Sequence, residues 1–431
     1  MSSNAGSVSA GVDQRTADPA DPAGADPAGA VAMLRTAGAV RTRCAQLLER
    51  ARAGGSRWFT VHDDGLRAAA ADVADLTRAR YPDLAVPYHS RWRHFEAGGV
   101  DRRADLDALL DTADAPERAR AMIDLTVISV LLDAGAGAEW GFLEDRDGAT
   151  ARFTRSEGLA VASWHGFVSG AFSSDASRPL QVDAAALRAL TEDRLAGVLQ
   201  ATPDNPLVGL AGRVQLLRRL GDALAAQPEV FGADGRAGGL FDALAGPAGS
   251  VDAHDILVRL LTSLAPIWPS ENTIGVHRLG DCWRHDAVSG PGLTAGWLPL
   301  HKLSQWLTYS LIEPFVWAGV AVTGLDALTG LPEYRNGGLL LDTAALRLRD
   351  PGCASRTWNP ADELVVEWRG LTVALLDEMA PLVRARLGVD ADRMPLACVL
   401  EGGTWAAGRA SARRLRDGLP PLAVASDGTV F

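Results

Sequence analysis

The chain has 431 residues, 47% of them hydrophobic, with 53 acidic against 42 basic residues and a formal net charge of −11. That length supplies ample core for one large domain or two intimate ones. The acidic balance argues against a nucleic-acid scaffold, which needs a basic surface, and no apolar run reaches the roughly 18 residues of a membrane span.

Residues 1 to about 30 repeat Ala, Asp and Pro and hold almost no large apolar group. They cannot offset the entropy of ordering and are expected to form a disordered tail. Residues 31–431 read as a single helical catalytic domain, with 31–150 a candidate N-terminal helical subdomain. No basic-then-apolar leader is visible. The four cysteines (Cys44, Cys282, Cys353, Cys398) are widely spread without C-x-x-C spacing. This argues against zinc and against a disulfide framework, so the expected location is cytoplasmic.

Helical periodicity starts at residues 32–52 and resumes after Asp63-Asp64, a candidate cap. Residues 88–95 hold an aromatic and basic knot in which Trp92 and Phe95 are expected to pack. Two helices are predicted over 101–132. Arg146-Asp147-Gly148 signals a hairpin over 143–153. A further helix opens at Arg155, with Ser156 a candidate cap. Residues 183–201, 207–227 and 252–265 read as helices, 274–299 as irregular, and 302–321 and 363–387 as long apolar helices. The fold class predicted is mainly α and compact, with a few short strands.

Lys302 is the only lysine; the other 41 basic residues are arginine. Arginine serves a solvated face equally well, whereas lysine offers a compact ammonium with a tunable pKa. The plain alternative is chance survival in an arginine-biased composition. The sharper reading is a group that contacts a phosphate or a reacting atom, or is the nucleophile. The eight histidines show no metal-ligand spacing, although Asp281 and His285, four apart, could share a helix face. Neither a G-x-x-x-x-G-K-[ST] loop nor a G-x-S-x-G elbow is present. No metal or other cofactor is expected.

Carboxylates remain. Glu313, Asp326 and Glu333 lie in one apolar stretch, where burial raises a carboxyl pKa unless a cation restores the charge. Lys302 and Arg335 are the candidate cations. Such a pair beside aromatic walls suits stabilisation of an oxocarbenium ion and orientation of water. A Glu333–Arg335 ion pair that merely fixes a turn, a Glu313-Pro314 helix kink, and structural pairing of Glu367-Trp-Arg-Gly are the plain alternatives.

The runs Arg155-Ser-Glu-Gly-Leu-Ala-Val-Ala-Ser163, His301-Lys-Leu-Ser-Gln-Trp-Leu-Thr-Tyr-Ser310, Leu328-Thr-Gly-Leu-Pro-Glu-Tyr-Arg-Asn-Gly-Gly338, Val366-Glu-Trp-Arg-Gly-Leu-Thr-Val373 and Leu400-Glu-Gly-Gly-Thr-Trp-Ala-Ala-Gly-Arg409 resemble the uracil-catabolism family, long catalogued as a domain of unknown function. A more distant resemblance is to the queuosine salvage N-ribosyl hydrolases. It rests on Lys302 and Gln305, on Leu328-Thr with Glu333-Tyr-Arg335, and on Glu367-Trp-Arg-Gly370. That family has Asp where this chain has Glu333, so base recognition does not carry over.

The first resemblance implies a step on a ribosyl-urea-type intermediate. The second implies a helical fold similar to helix-hairpin-helix DNA glycosylases, and a nucleoside- or nucleotide-derived substrate. The function expected is an N-glycosidase that hydrolyses the C1′–N bond of a ribosyl-urea, or its 5′-phosphate, to release urea. Glu333 and Lys302 are the expected catalytic residues. Arg335, Tyr334, His301, Arg155, Glu157, Asp281, Trp306 and Glu367 are expected to bind substrate, and Trp317 is a further candidate wall. The rivals are a Lys302 Schiff-base lyase acting on the opened sugar, and a non-catalytic partner of the ring-opening enzyme. Other uracil-catabolism enzymes are the expected protein partners.

Overall fold

The computed structural model describes residues 26–246 and 249–425. The central helix is Glu363–Leu387, with Asp362 at its N-cap and Gly388 at its end with φ of 71°. Glycine adopts that left-handed conformation without the Cβ clash that other residues suffer. The helix is apolar on nearly every face, so it is packed all round. Helices Ala37–Arg52 and Asp63–Arg80 lie against it. They bury small residues, Ala69, Ala70 and Ala74 among them, which lets the backbones approach closely.

Lys302–Trp317 is a second core helix, buried from Leu303 through Ile312. It packs against Ala115–Leu131 and Ala253–Ser263. A third pair joins Tyr334–Asp342 to Trp405–Arg416. Gly408 makes this crossing possible, because a Cβ there would stand 2.1 Å from the carbonyl oxygen of Arg335.

Two-stranded pairs clip distant segments together. Phe59–Val61 runs antiparallel to Leu346–Leu348, and Cys282–Arg284 antiparallel to Trp297–Pro299. Thr357–Trp358 runs parallel to Ala423–Val424 and ties down the end of the described chain. The main core cluster draws on residues from Ala37 to Leu422, and a second, smaller cluster joins Ala30, Val31 and Leu34 to Ile274, Leu279, Cys282 and Trp297.

The mainly α class with short strands is as expected. The 363–387 helix and the hairpin of Phe142–Arg146 with Ala149–Phe153 also match. Several details differ. His62, not Asp63 or Asp64, occupies the N-cap of Asp63–Arg80, and Arg35 and Thr36 break the helical stretch read over 32–52. Residues 1–25 of the expected tail lie outside the described residues, but Pro27–Leu34 is helical, capped by Asp26 and seated by buried Ala30. The helix read over 183–201 is two short ones, Ala184–Arg188 and Glu192–Val198, each with its own cap, Asp183 and Thr191. Thr154, not Ser156, occupies the N-cap of Arg155–Val168. Asp281 and His285 flank a strand rather than share a helix face.

Candidate active site

The site is built where the N-termini of two helices meet. Lys302 opens the first. Its cap residue, His301, is left-handed with φ of 49°, a conformation uncommon outside glycine. Asp281 supports this turn. Its backbone oxygen accepts the N–H groups of Leu300 and His301, and its Oδ2 accepts that of Lys302 at 2.8 Å. Arg369 grips the same carboxylate with two bonds of 2.7 and 2.8 Å. This pairing, with the Trp283 indole and the Lys302 N–H, holds Asp281 far below the usual carboxylate range despite burial.

Glu333 opens the second helix, Tyr334–Asp342, as its N-cap. Its carboxylate accepts the backbone N–H groups of Arg335 at 2.7 Å and Asn336 at 2.6 Å. An ionised acid is well placed here, since orphan N–H groups and the helix dipole both favour negative charge. Burial nevertheless raises its pKa, opposed by those two bonds and by the charge of Lys302. Lys302 feels the converse. Burial and the Arg369 charge lower its pKa, while Glu333, Asp281 and Asp133 oppose the shift.

These helix starts face a cavity of about 370 Å³, within the roughly 300–1,000 Å³ typical of small-molecule sites. Six of the expected residues line it: Lys302, Glu333, Tyr334, Arg335, Trp306 and Arg155. Arg155, exposed at the rim, is left-handed with φ of 56°. The Arg335 guanidinium lies 4.8 Å from the Tyr334 ring centroid and donates to the oxygen of Gly418. The Glu333–Arg335 ion pair given as the plain alternative does not form, because the Arg335 backbone, not its side chain, holds the carboxylate.

The other four expected residues stand outside the cavity wall. His301 bonds the oxygen of Leu34, and Asp281 braces the turn that opens the Lys302 helix. Glu157 pairs with Arg409 at 2.6 Å. Glu367 bonds His285 at 3.0 Å and Ser56, contacts that match the structural pairing given as the plain alternative. Glu363 completes a group of three possible ligands with His285 and Glu367, but Arg50 stands 3.7 Å from Glu367 and supplies a positive charge there. Of the remaining candidates, Asp326 is exposed and Glu313 is bound by Ser90 and Arg93. Trp317 packs edge-on to Trp92.

Four wall residues were not singled out from the sequence: His89, His94, Asp133 and Trp405. His89 and His94 sit in the knot read only as packing. His94 is edge-on to both Trp306 and Trp405. Burial and the neighbouring Arg91 lower its pKa to about 4, so it is neutral at pH 7. Asp133 is paired with buried Arg91 at 3.2 Å. A π-helical turn, Leu400–Thr404, precedes Trp405 and turns Glu401 toward His89; such turns recur at functional sites.

A family model described as "Protein of unknown function (DUF1688)" matches residues 33–431. The chain belongs to the DUF1688 family. Two relatives are similar over most of their length. Protein urg3 of Schizosaccharomyces pombe is 37% identical over 414 residues, 93% of this chain and 99% of that protein. Uracil catabolism protein 4 of Lachancea kluyveri is 39% identical over 380 residues, 80% of this chain and 85% of that one. The matched region of this DUF1688 chain includes every described residue of the cavity wall.

Proposed function

We propose that this chain is an enzyme of uracil catabolism, an N-glycosidase that hydrolyses the C1′–N bond of a ribosyl-urea or its 5′-phosphate. The observation that carries the reading is the meeting of Glu333 and Lys302, from two helix starts, in one cavity walled by Trp306, Tyr334 and Trp405. The name of the Lachancea kluyveri relative supports the pathway.

Loss of urea from C1′ leaves positive charge on the sugar. Glu333 is a fixed carboxylate that stabilises this charge and accepts a proton from the attacking water, and its anchoring leaves little to reorganise during reaction. Lys302 and Arg335 hold the anionic or hydroxylated end of the substrate. The aromatic walls exclude bulk water, which strengthens each of these interactions.

The test is urea release from ribosyl-urea and its 5′-phosphate. Wild type should release urea, Glu333→Gln should abolish release, and Lys302→Ala should chiefly raise KM for the phosphorylated form. No release from either compound by wild type sinks the reading. One observation favours a second reading, a Schiff-base lyase: the lowered pKa of Lys302 increases the neutral, nucleophilic amine. Borohydride trapping of an opened sugar on Lys302 distinguishes it.

A further inference from the structure

Cleavage of a bond from C1′ to a urea nitrogen has a second requirement. A ureide anion is a very poor leaving group, so the nitrogen must be protonated as the bond breaks. The cavity holds two histidines in opposite surroundings. His94 faces the Arg91 guanidinium, with Nδ1 3.5 Å from Arg91, and stays neutral. It has no proton to deliver at pH 7.

His89 faces a carboxylate. Its Nδ1 lies 2.9 Å from Oε2 of Glu401. Glu401 is held from behind: Arg80 donates to Oε1 at 2.9 Å and the Tyr81 hydroxyl donates to the same oxygen at 3.3 Å. Its bonds to His89 and Arg80 keep Glu401 below the usual carboxylate range although it is buried. An ionised carboxylate only accepts, so the hydrogen between the two belongs to His89 Nδ1. Nε2 is then the ring's free end. Among the described residues it has no protein hydrogen-bond partner, and His89 lines the cavity. The His89 backbone N–H is tied to the oxygen of Ala397, and its ring lies 6.4 Å from Trp306, centroid to centroid. A carboxylate that orients an imidazole toward a ligand is the arrangement by which proteins set the tautomer of a proton-transferring histidine.

We propose that His89 is the general acid of the site and that Glu401 is its positioning residue. This assignment rests on the N-glycosidase reading. In the step, the C1′–N bond breaks and its electron pair stays on nitrogen. The Nε2 proton of the His89 imidazolium passes to that nitrogen, so neutral urea leaves. Water attacks C1′ and gives its proton to Glu333, from which solvent returns it to the imidazole. The sum is one ribosyl-urea and one water converted to ribose and urea.

The experiment compares two leaving groups on the full chain: ribosyl-urea, which needs the proton, and 4-nitrophenyl β-D-ribofuranoside, whose anion leaves unaided. His89→Gln should lower kcat/KM on ribosyl-urea by about 10²–10⁴-fold, the usual worth of a general acid, and by less than about tenfold on the nitrophenyl riboside. Equal losses on both substrates, or none on either, overturn the assignment and leave the glycosidase reading standing. A wild type that cleaves neither compound removes that reading and this one with it.

Glu401→Gln gives a second readout that a merely structural role would not move. The charged groups facing His89 are Glu401, with Arg80 behind it, Glu333 and the neutral His94. Without the Glu401 carboxylate the ring is no longer held in place, so kcat/KM on ribosyl-urea should fall at least tenfold while that on the nitrophenyl riboside falls by less than about tenfold. Equal losses on both substrates, or none on either, overturn the positioning role, and this arm decides the matter should His89→Gln fail to fold.

Discussion

Asp281→Asn is the sharpest test of how the fold holds Lys302 in place. The carboxylate takes four donors at once: two from Arg369 at 2.7 and 2.8 Å, the Trp283 indole at 2.6 Å and the Lys302 N–H at 2.8 Å. Arg369 is 2% exposed. Taking the carboxylate from this buried pair removes the charge that two of the Arg369 bonds meet, at a cost of about 3–5 kcal/mol. The weakened cap on the Lys302 helix lies within that figure, being worth about 1 kcal/mol alone. Domains of about 150–250 residues lose roughly 2–4 °C of Tm per kcal/mol, and longer chains lose less. A drop on the order of 6 °C is therefore expected by calorimetry. The double variant Asp281→Asn, Arg369→Met removes both charges, so it should be less destabilised than the two single variants summed. A single variant that melts within about 1 °C of wild type, or strict additivity in the double, would refute this account of the cap.

Three further outcomes follow from the geometry. His94 has its folded pKa lowered to about 4, against roughly 6.5 unfolded. Its contribution is therefore complete above the unfolded value and lost as pH falls toward the folded one. Between pH 7 and 4.5, wild type should lose about 2 kcal/mol more stability than His94→Gln, read as the difference in Tm decline. Lys302 has a lowered pKa, so an amine reagent should modify one side chain at a pH where free lysine is largely inert, with substrate protecting it; peptide mapping checks the site. Gly408→Val should push the Tyr334 and Trp405 helices apart, since its Cβ meets the oxygen of Arg335. A melting temperature unchanged in that variant would mean the crossing tolerates the insertion.

Much of the fold could be read from local pattern. The 363–387 helix was legible to the residue because its apolar residues recur throughout despite the polar Glu367 and Arg369, and a glycine ends it. The hairpin at 142–153 was legible because Asp147-Gly148 supplies both left-handed positions of a tight turn. Short caps were harder. Asp26-Pro27 is a good helix start, but it closes an Ala-Asp-Pro repeat that composition assigned to a tail. At the site, residues near one another in sequence were found together: Lys302 with Trp306, and Glu333 with Tyr334 and Arg335. What local reading missed were partners far apart in the chain. Glu401 and His89 are 312 positions apart, and Arg369 and Asp281 are 88 apart. Period and spacing carry no signal across such separations. Tertiary packing also chose Arg369 over substrate as the partner of Asp281, and a backbone over a side chain as the partner of Glu333.

Lys302 has a use beyond chemistry. A lysine-specific endoprotease has one place to cut this chain, after the first residue of a helix buried from Leu303 through Ile312. Such enzymes need several extended residues on either side of the bond, which this helix withholds while folded. Where opening and closing are fast relative to cleavage, the rate of cutting reports the population of the opened core. The products, residues 1–302 and 303–431, would appear as one pair of bands. The chain thus carries a built-in reporter of its central unfolding, and a tight ligand of the cavity should reveal itself by slowing that single cut.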